Sequence, residues 1–197
     1  TFHLENETNY EDYKVFVIPG TKVISLSNLE KIKDFYDNGG KVIATTQLPY
    51  RGIEDSENEQ VISIIKEIFQ VDPVTGQSLA SSTGEYTKNT NAAGGTAYFI
   101  QTGFETKLQT VLDDALPTYD VEIDQVPAIS GGNLSYIHKV KDNQDIYFIA
   151  NSSDTAMNIT VSLHGEMEQP MLWDPMTGTK QAATFTVENG ITKVQLS

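Results

Sequence analysis

Residues 13–49 read YKVFVIPGTKVISLSNLEKIKDFYDNGGKVIATTQLP, and this stretch predicts a βαβ unit. Val15–Ile18 is an all-apolar run of β-branched and aromatic residues, typical of a parallel strand buried on both faces. Pro19-Gly20 ends that strand, and apolar residues then recur at helical spacing up to Tyr36. The glycines of Asn38-Gly39-Gly40 can end the helix, and residues 42–44 begin the next buried strand. A right-handed crossover should join the two strands.

The same pattern continues to about residue 117. A helical stripe starts near Val61, residues 97–100 form a third buried strand, and a third helix follows. Residues 77–95 are mainly Ser, Thr, Asn, Gly and Ala with few large apolar side chains, which predicts a long surface loop. Ser/Thr-x-x-Glu pairs predict capping boxes at the helix starts, at Ser27/Glu30, Ser56/Glu59 and Thr102/Glu105.

After Pro117 the helical spacing gives way to strand alternation. Leu134, Tyr136, His138 and Val140 share one strand face, and Asn189-Gly190 is a type I′ hairpin signal. The fold class is therefore α/β plus all-β. We expect a small, truncated doubly wound parallel sheet in residues 1–118, followed by an antiparallel β-sandwich in residues 119–197.

Charge and composition exclude several functions. The formal net charge is −14 and there is no cysteine. An acidic chain without a basic cluster repels nucleic acid and anionic lipid, so neither is expected as a partner. No apolar run approaches the ~20 residues of a membrane span. The chain begins at Thr1 and not at Met, so we expect a processed chain or a piece of a longer one.

The search for catalytic residues predicts none, and no cofactor or metal is expected. The three histidines lack metal-ligand spacing to one another. For His138 we favour a strand histidine over a general base. A glycosidase pair of carboxylates is conceivable. However, helix starts account for Glu30, Glu59 and Glu105, and turns account for Asp142 and Asp145.

Trp173 and Asp174 are the candidate binding residues, in the sequence LWDPMTG at residues 172–178. An aromatic face can stack on a sugar, so the two residues could form a carbohydrate subsite. The alternative is a core tryptophan followed by an Asp-Pro turn, and we favour it because tryptophan is usually highly buried.

Three stretches together resemble a known group of enzymes. Residues 13–49 are similar to the amidotransferase-like α/β domain of several large bacterial glycoside hydrolases. YIHKVKDNQDIYFIANS at residues 136–152 and LWDPMTG resemble segments of the α-L-rhamnosidases of glycoside hydrolase family 106.

The resemblance implies a non-catalytic accessory region of a polysaccharide-degrading enzyme, exported to the periplasm or secreted. Its partner would be a catalytic barrel upstream in the same polypeptide. No catalytic residue carries over, and amidotransferase chemistry needs a cysteine that is absent here. A carbohydrate-binding module in the β part, with carbohydrate as partner, is the alternative. An independent small enzyme with an acidic cleft ranks last.

Val15–Ile18 should lie at an open sheet edge, since the resembling domains have two further βα units before it. We expect Phe2–Glu5, a second molecule or upstream sequence to cover that edge, which makes a homo-oligomer conceivable.

Overall fold

The computed structural model describes residues 2–5, 10–78, 84–124 and 131–197. The chain folds as two compact units, Thr1–Pro117 and Thr118–Ser197. Within the described residues, no helix is both long and apolar enough to span a membrane.

The first unit is α/β, as the sequence predicts. Its elements are β1 (Phe2–Glu5), β2 (Tyr10–Tyr13), β3 (Val15–Ile18), α1 (Leu26–Asp37), β4 (Lys41–Thr46), α2 (Asn58–Phe69), β5 (Tyr86–Thr90), β6 (Thr96–Gln101) and α3 (Leu108–Ala115). The main sheet has the order β3-β4-β6-β5. β3, β4 and β6 run parallel, whereas β5 pairs antiparallel with β6.

Helices cover both faces of this sheet. Val42 and Ala44 of β4 join the cluster that contains buried residues of α1 and α2. Ile43, between them, joins the cluster with Val111 of α3. Because successive strand side chains point to opposite faces, β4 is buried on both sides, and the sheet is doubly wound.

β3 lies at the sheet edge, as expected, and β4 is its only strand neighbour among the described residues. The expectation of burial on both faces is wrong for this strand, because Val17 is 46% exposed. An edge strand lacks the second neighbour that would cover it. Phe2–Glu5 does not fill the position, since it pairs with β2 in a separate two-stranded sheet.

The expected loop at residues 77–95 contains β5, so its interpretation as an uninterrupted loop is wrong. Residues 79–83 lie outside the described part of the chain. β5 reads YTKNT, a polar segment that hydrophobic periodicity cannot detect. As an edge strand it has a neighbouring strand on one side only, so it needs fewer apolar side chains than a central strand. Gly95 then approaches α1 so closely that an added Cβ would lie 1.8 Å from the main-chain oxygen of Tyr36.

The predicted capping boxes are wrong at all three helix starts. α1 begins earlier, at Leu26, with Ser25 as the N-cap residue. A 3-10 turn precedes each of the other two helices, and the capping box found before α2 is formed by Glu54 and Glu57. Before α3, the Glu105 carboxylate accepts from the Gly103 N–H, and the Thr102 hydroxyl donates to the Thr46 main-chain oxygen.

The second unit contains only strands among its described residues. They are β7 (Val121–Asp124), β8 (Leu134–Lys141), β9 (Gln144–Asn151), β10 (Ile159–His164), β11 (Met171–Trp173), β12 (Lys180–Ala182), β13 (Phe185–Glu188) and β14 (Ile191–Leu196). A four-stranded antiparallel sheet has the order β13-β14-β10-β7. β8–β9 and β11–β12 form two hairpins.

One apolar core holds these strands together. Val161 and Val194 of the four-stranded sheet are at its centre. Tyr147 of the first hairpin and Leu172 of the second pack against the same cluster. Asn189 and Gly190 both have positive φ, which confirms the hairpin signal, and Asp142 and Asn143 adopt the same geometry between β8 and β9. The fold is thus an α/β unit followed by an all-β antiparallel unit, as predicted.

Candidate functional site

The β11–β12 hairpin carries both candidate residues, Trp173 and Asp174. Asp174 closes the turn: its Oδ1 atom accepts the Met176 N–H at 2.8 Å, and its Oδ2 atom accepts the Thr177 hydroxyl at 2.8 Å. These bonds, the one from the Thr177 hydroxyl above all, lower the pKa of the Asp174 carboxyl from its usual value. The carboxylate is therefore used mainly to fix the turn, as the Asp-Pro pattern predicts.

Trp173 does not lie in the core, and the expectation of a core tryptophan is wrong. Its side chain is 61% exposed, whereas the neighbouring Leu172 packs against the core of the second unit. Because strand side chains alternate between faces, only one of these two adjacent residues can point inward. In this hairpin the leucine occupies the inner position.

A cation lies over the exposed indole. Lys180, the cross-strand partner of Trp173, places its Nζ atom 4.4 Å from the ring centroid. This cation–π contact holds the aromatic side chain at the hairpin surface. The ammonium covers one face of the indole, so a sugar ring could stack only on the opposite face, while the ammonium could donate hydrogen bonds to hydroxyls nearby.

His138 is the centre of a second cluster that sequence reasoning did not assemble. Its Nδ1 atom lies 2.9 Å from Oδ2 of Asp120, and its Nε2 atom lies 3.0 Å from Oδ1 of Asp145. The imidazole also stacks on the ring of Tyr147, with 4.1 Å between the ring centroids. Burial, together with the charge of Asp120, raises the pKa of the Tyr147 hydroxyl.

This geometry gives His138 a structural role. Both ring nitrogens are already in hydrogen bonds with carboxylates, so neither is placed to accept a proton from a substrate. The Tyr147 contact was foreseeable, since a tight hairpin at residues 141–144 pairs His138 with Tyr147. Asp120 comes from a different part of the chain, and no local pattern indicates it.

The remaining candidates are not brought together. His138 and His164 both belong to the second unit but lie in different sheets. In residues 2–5, 10–78, 84–124 and 131–197, no group of three or more His, Asp or Glu side chains has the geometry of a metal site.

Comparison with known proteins gives a family. The family model for α-L-rhamnosidases of glycoside hydrolase family 106 matches residues 5–187. A protein of Formosa agariphila described as a putative β-glucuronidase is 25% identical, over 93% of this chain. The chain spans 13% of the length of that relative.

Solved structures share the fold. A rhamnosidase from Novosphingobium sp. PP1Y superposes with a TM-score of 0.62 at 16% identity, covering 91% of this chain and 16% of that one. A GH42 β-galactosidase from G. stearothermophilus gives a TM-score of 0.52 at 16% identity, covering 93% of this chain and 32% of that one. Both likenesses concern the fold alone. Since the family model covers almost the whole sequence, the chain belongs to the α-L-rhamnosidase family, glycoside hydrolase family 106.

Proposed function

We propose that the chain is a non-catalytic accessory region of a larger polysaccharide-degrading glycoside hydrolase. In this proposal an amidotransferase-like α/β domain, residues 1–118, and a β-sandwich, residues 119–197, support a catalytic barrel elsewhere in the same polypeptide. The family match, combined with the small share of its relatives' length that the chain spans, supports this role.

The direction of the carboxyl pKa shifts is a further observation in favour of the proposal, whose main support is the family match over a small part of the relatives' length. A glycosidase needs a carboxylic acid whose pKa is raised, so that it can protonate the leaving group. Among the described residues, every Asp or Glu with a clear shift has its pKa lowered. These residues are Asp72, Glu105, Asp114 and Asp174. Ammonium groups, hydroxyls and main-chain N–H groups stabilise their charged forms, which favours structural roles.

An activity assay tests the accessory role. The 197-residue chain, incubated at high concentration with an aryl α-L-rhamnoside or an aryl β-glucuronide, should release no more aryl alcohol than buffer does. Release that scales with protein concentration, and disappears when one carboxylate is changed to its amide, would contradict the proposal. The amide substitution separates activity of this chain from that of a contaminant.

The open edge at β3 supports a contact with another part of the polypeptide or with a second copy. Beside this edge, an apolar groove of about 380 Å³ lies between β3 and α1, with Phe16, Ile18, Ile24 and Ile32 in its lining. An apolar strand at the edge of a sheet favours the addition of a further strand.

Carbohydrate contact at the β11–β12 hairpin is the second candidate function. The exposure of Trp173, 61%, is the observation that favours it over a purely structural role for this hairpin. Trp173→Ala should abolish retention on an immobilised polysaccharide that the chain binds, while leaving the fold intact. Met176→Ala is the control, since that side chain is exposed in the same turn. Equal retention of both variants would exclude the tryptophan as a platform.

A further inference from the structure

A polar groove in the second unit is not used by either proposed role. Its volume is about 570 Å³, which lies within the roughly 300–1,000 Å³ typical of small-molecule sites. It runs along the ends of β10 and β14 and beside the β11–β12 hairpin. Its lining includes Asn158, Thr160, Leu172, Gln181, Gln195 and Leu196.

Amides and hydroxyls meet in this groove at the ends of the strands. Thr160 and Gln195 are cross-strand partners, so their side chains project from the same face of the sheet. Leu172 and Gln181 are partners in the hairpin and likewise share a face. Leu172 also packs on the core of the second unit, and both it and Gln181 line the groove.

These polar groups are available for a ligand. In the described part of the chain, the amides of Asn158, Gln181 and Gln195 make no side-chain hydrogen bond to the protein. Each amide offers two N–H donors and an acceptor oxygen. The lining therefore presents both donors and acceptors without satisfying them internally.

The side chains that line the groove are also uncharged. None of the side chains that line it belongs to Asp, Glu, Lys, Arg or His, although the chain carries 27 acidic and 13 basic residues. An anionic ligand would find no cation here and would meet the repulsion of a net charge of −14. Leu172 and Leu196 add apolar surface beside the amides. This mixture suits a neutral molecule that alternates hydroxyls with C–H faces.

We propose that this groove binds a neutral saccharide, with Asn158, Gln181 and Gln195 donating to and accepting from its hydroxyls. Leu172 and Leu196 contact a C–H face of the sugar. The site is separate from the Trp173 surface: Trp173 and Gln181 are adjacent in register, so they project from opposite faces of the hairpin.

Side-chain amide NMR signals provide a site-specific test. L-rhamnose and D-galactose, titrated into the 197-residue chain, should shift the NH₂ signals of Gln181 and Gln195 with Kd values of roughly 1–10 mM, since each hydrogen bond to a hydroxyl strengthens binding only about fivefold. D-glucuronate, as the anionic probe, should bind at least about tenfold more weakly because of its charge. The titration is repeated on the chain with a C-terminal amide, because Ser197 also lines the groove.

Matched variants decide the assignment. Gln181→Ala and Gln195→Ala should each weaken the neutral sugars about fivefold, whereas Gln169→Ala, an exposed glutamine outside the groove, should not change the affinity. The absence of shifts at the groove amides up to 100 mM sugar (about tenfold above the weakest Kd expected here) would overturn the proposal. Shifts confined to the Trp173 indole would overturn it too and would favour the hairpin surface instead. Neither result bears on the accessory role, which the hydrolysis assay tests separately.

Discussion

The side-chain amide of Asn89, in strand β5, donates a 2.9 Å hydrogen bond to the hydroxyl of Tyr36 in helix α1. The same nitrogen lies 2.8 Å from the main-chain oxygen of Ile68 in α2. Tyr36 is only 3% exposed, so its hydroxyl depends on this partner. One polar side chain of the edge strand therefore connects two helices on one face of the sheet.

Asn89→Ala should lower the free energy of unfolding by about 1–3 kcal/mol, because it leaves buried polar groups without a partner. Urea denaturation followed by far-UV circular dichroism measures the change. Asn28→Ala is the matched control, at an exposed position of α1, and should stay within about 0.5 kcal/mol of the unmodified chain. Equal effects of the two substitutions would contradict the role of Asn89.

Gly95→Ala should destabilise the first unit by about 2–3 kcal/mol or more, since the new Cβ would lie 1.8 Å from the Tyr36 main-chain oxygen and the backbone must move. Gly94→Ala is the control. It meets no atom within 4 Å but has a φ of +84°, so it should cost only about 1 kcal/mol. Thermal unfolding of both variants measures which substitution destabilises more. A larger loss for Gly94→Ala would show that Gly95 does not lie so close to the Tyr36 main-chain oxygen.

The pKa of the Asp72 carboxyl should lie well below that of an ordinary aspartate. The Lys66 ammonium, 2.8 Å away, and the Thr75 N–H lower the pKa of its carboxyl from 3.8 to about 2. A carboxyl whose pKa is lower in the folded state stabilises the fold above its unfolded pKa, near 3.8. That contribution is lost as the pH falls toward about 2.

Carbon-13 NMR titration of the Asp72 carboxyl measures this pKa directly. Lys66→Met should raise it, because the largest cause of the shift is removed. Lys31→Met, at an exposed position of α1, should leave it unchanged. An unchanged Asp72 titration in Lys66→Met would show that the ion pair does not form in solution.

Self-association should occur through β3. We expect sedimentation velocity to show a concentration-dependent increase in size, and Val17→Lys to suppress it, because a lysine on an edge strand opposes pairing with another chain. Val74→Lys makes the same change at another exposed valine of the first unit and should not suppress association. If the unmodified chain stays monomeric at every concentration measured, self-association through β3 is contradicted.

Trp173→Ala should change the free energy of unfolding by less than about 1 kcal/mol, since the side chain is 61% exposed and its contact with Lys180 is a surface cation–π pair. Leu163→Ala, at a position 6% exposed in the core of the same unit, should cost about 2–5 kcal/mol. Comparable losses in the two variants would show that Trp173 packs inside after all.

Elements whose sequence repeats a strong pattern could be predicted. Residues 42–44 and 97–100 are buried on both faces, so their continuous apolar runs identify β4 and β6. Asn189-Gly190 fixes a hairpin because both residues adopt positive φ. In each case the signal lies within the segment itself.

The failures occur where the deciding contact is distant in sequence. β5 is polar, and its place depends on pairing with β6 and on the bonds of Asn89 to two helices. Asp120, which precedes β7, contacts His138 of β8, so no spacing in the sequence predicts the pair. For Trp173, the usual burial of tryptophan suggested the core, whereas Leu172 takes the inner position. Packing against the core, and not the average burial of a residue type, decides between such neighbours.

The exposed indole also determines what optical experiments on this chain can report. Trp173 is the single tryptophan of 197 residues, and it lies on a hairpin of the second unit. Its emission is therefore that of a solvated indole in the native state, and the α/β unit has no tryptophan of its own to report its unfolding. A fluorescence melting curve would follow the hairpin and could miss the larger transition. A tryptophan introduced in place of Phe69, which is fully buried in the first unit, would give that unit its own fluorophore.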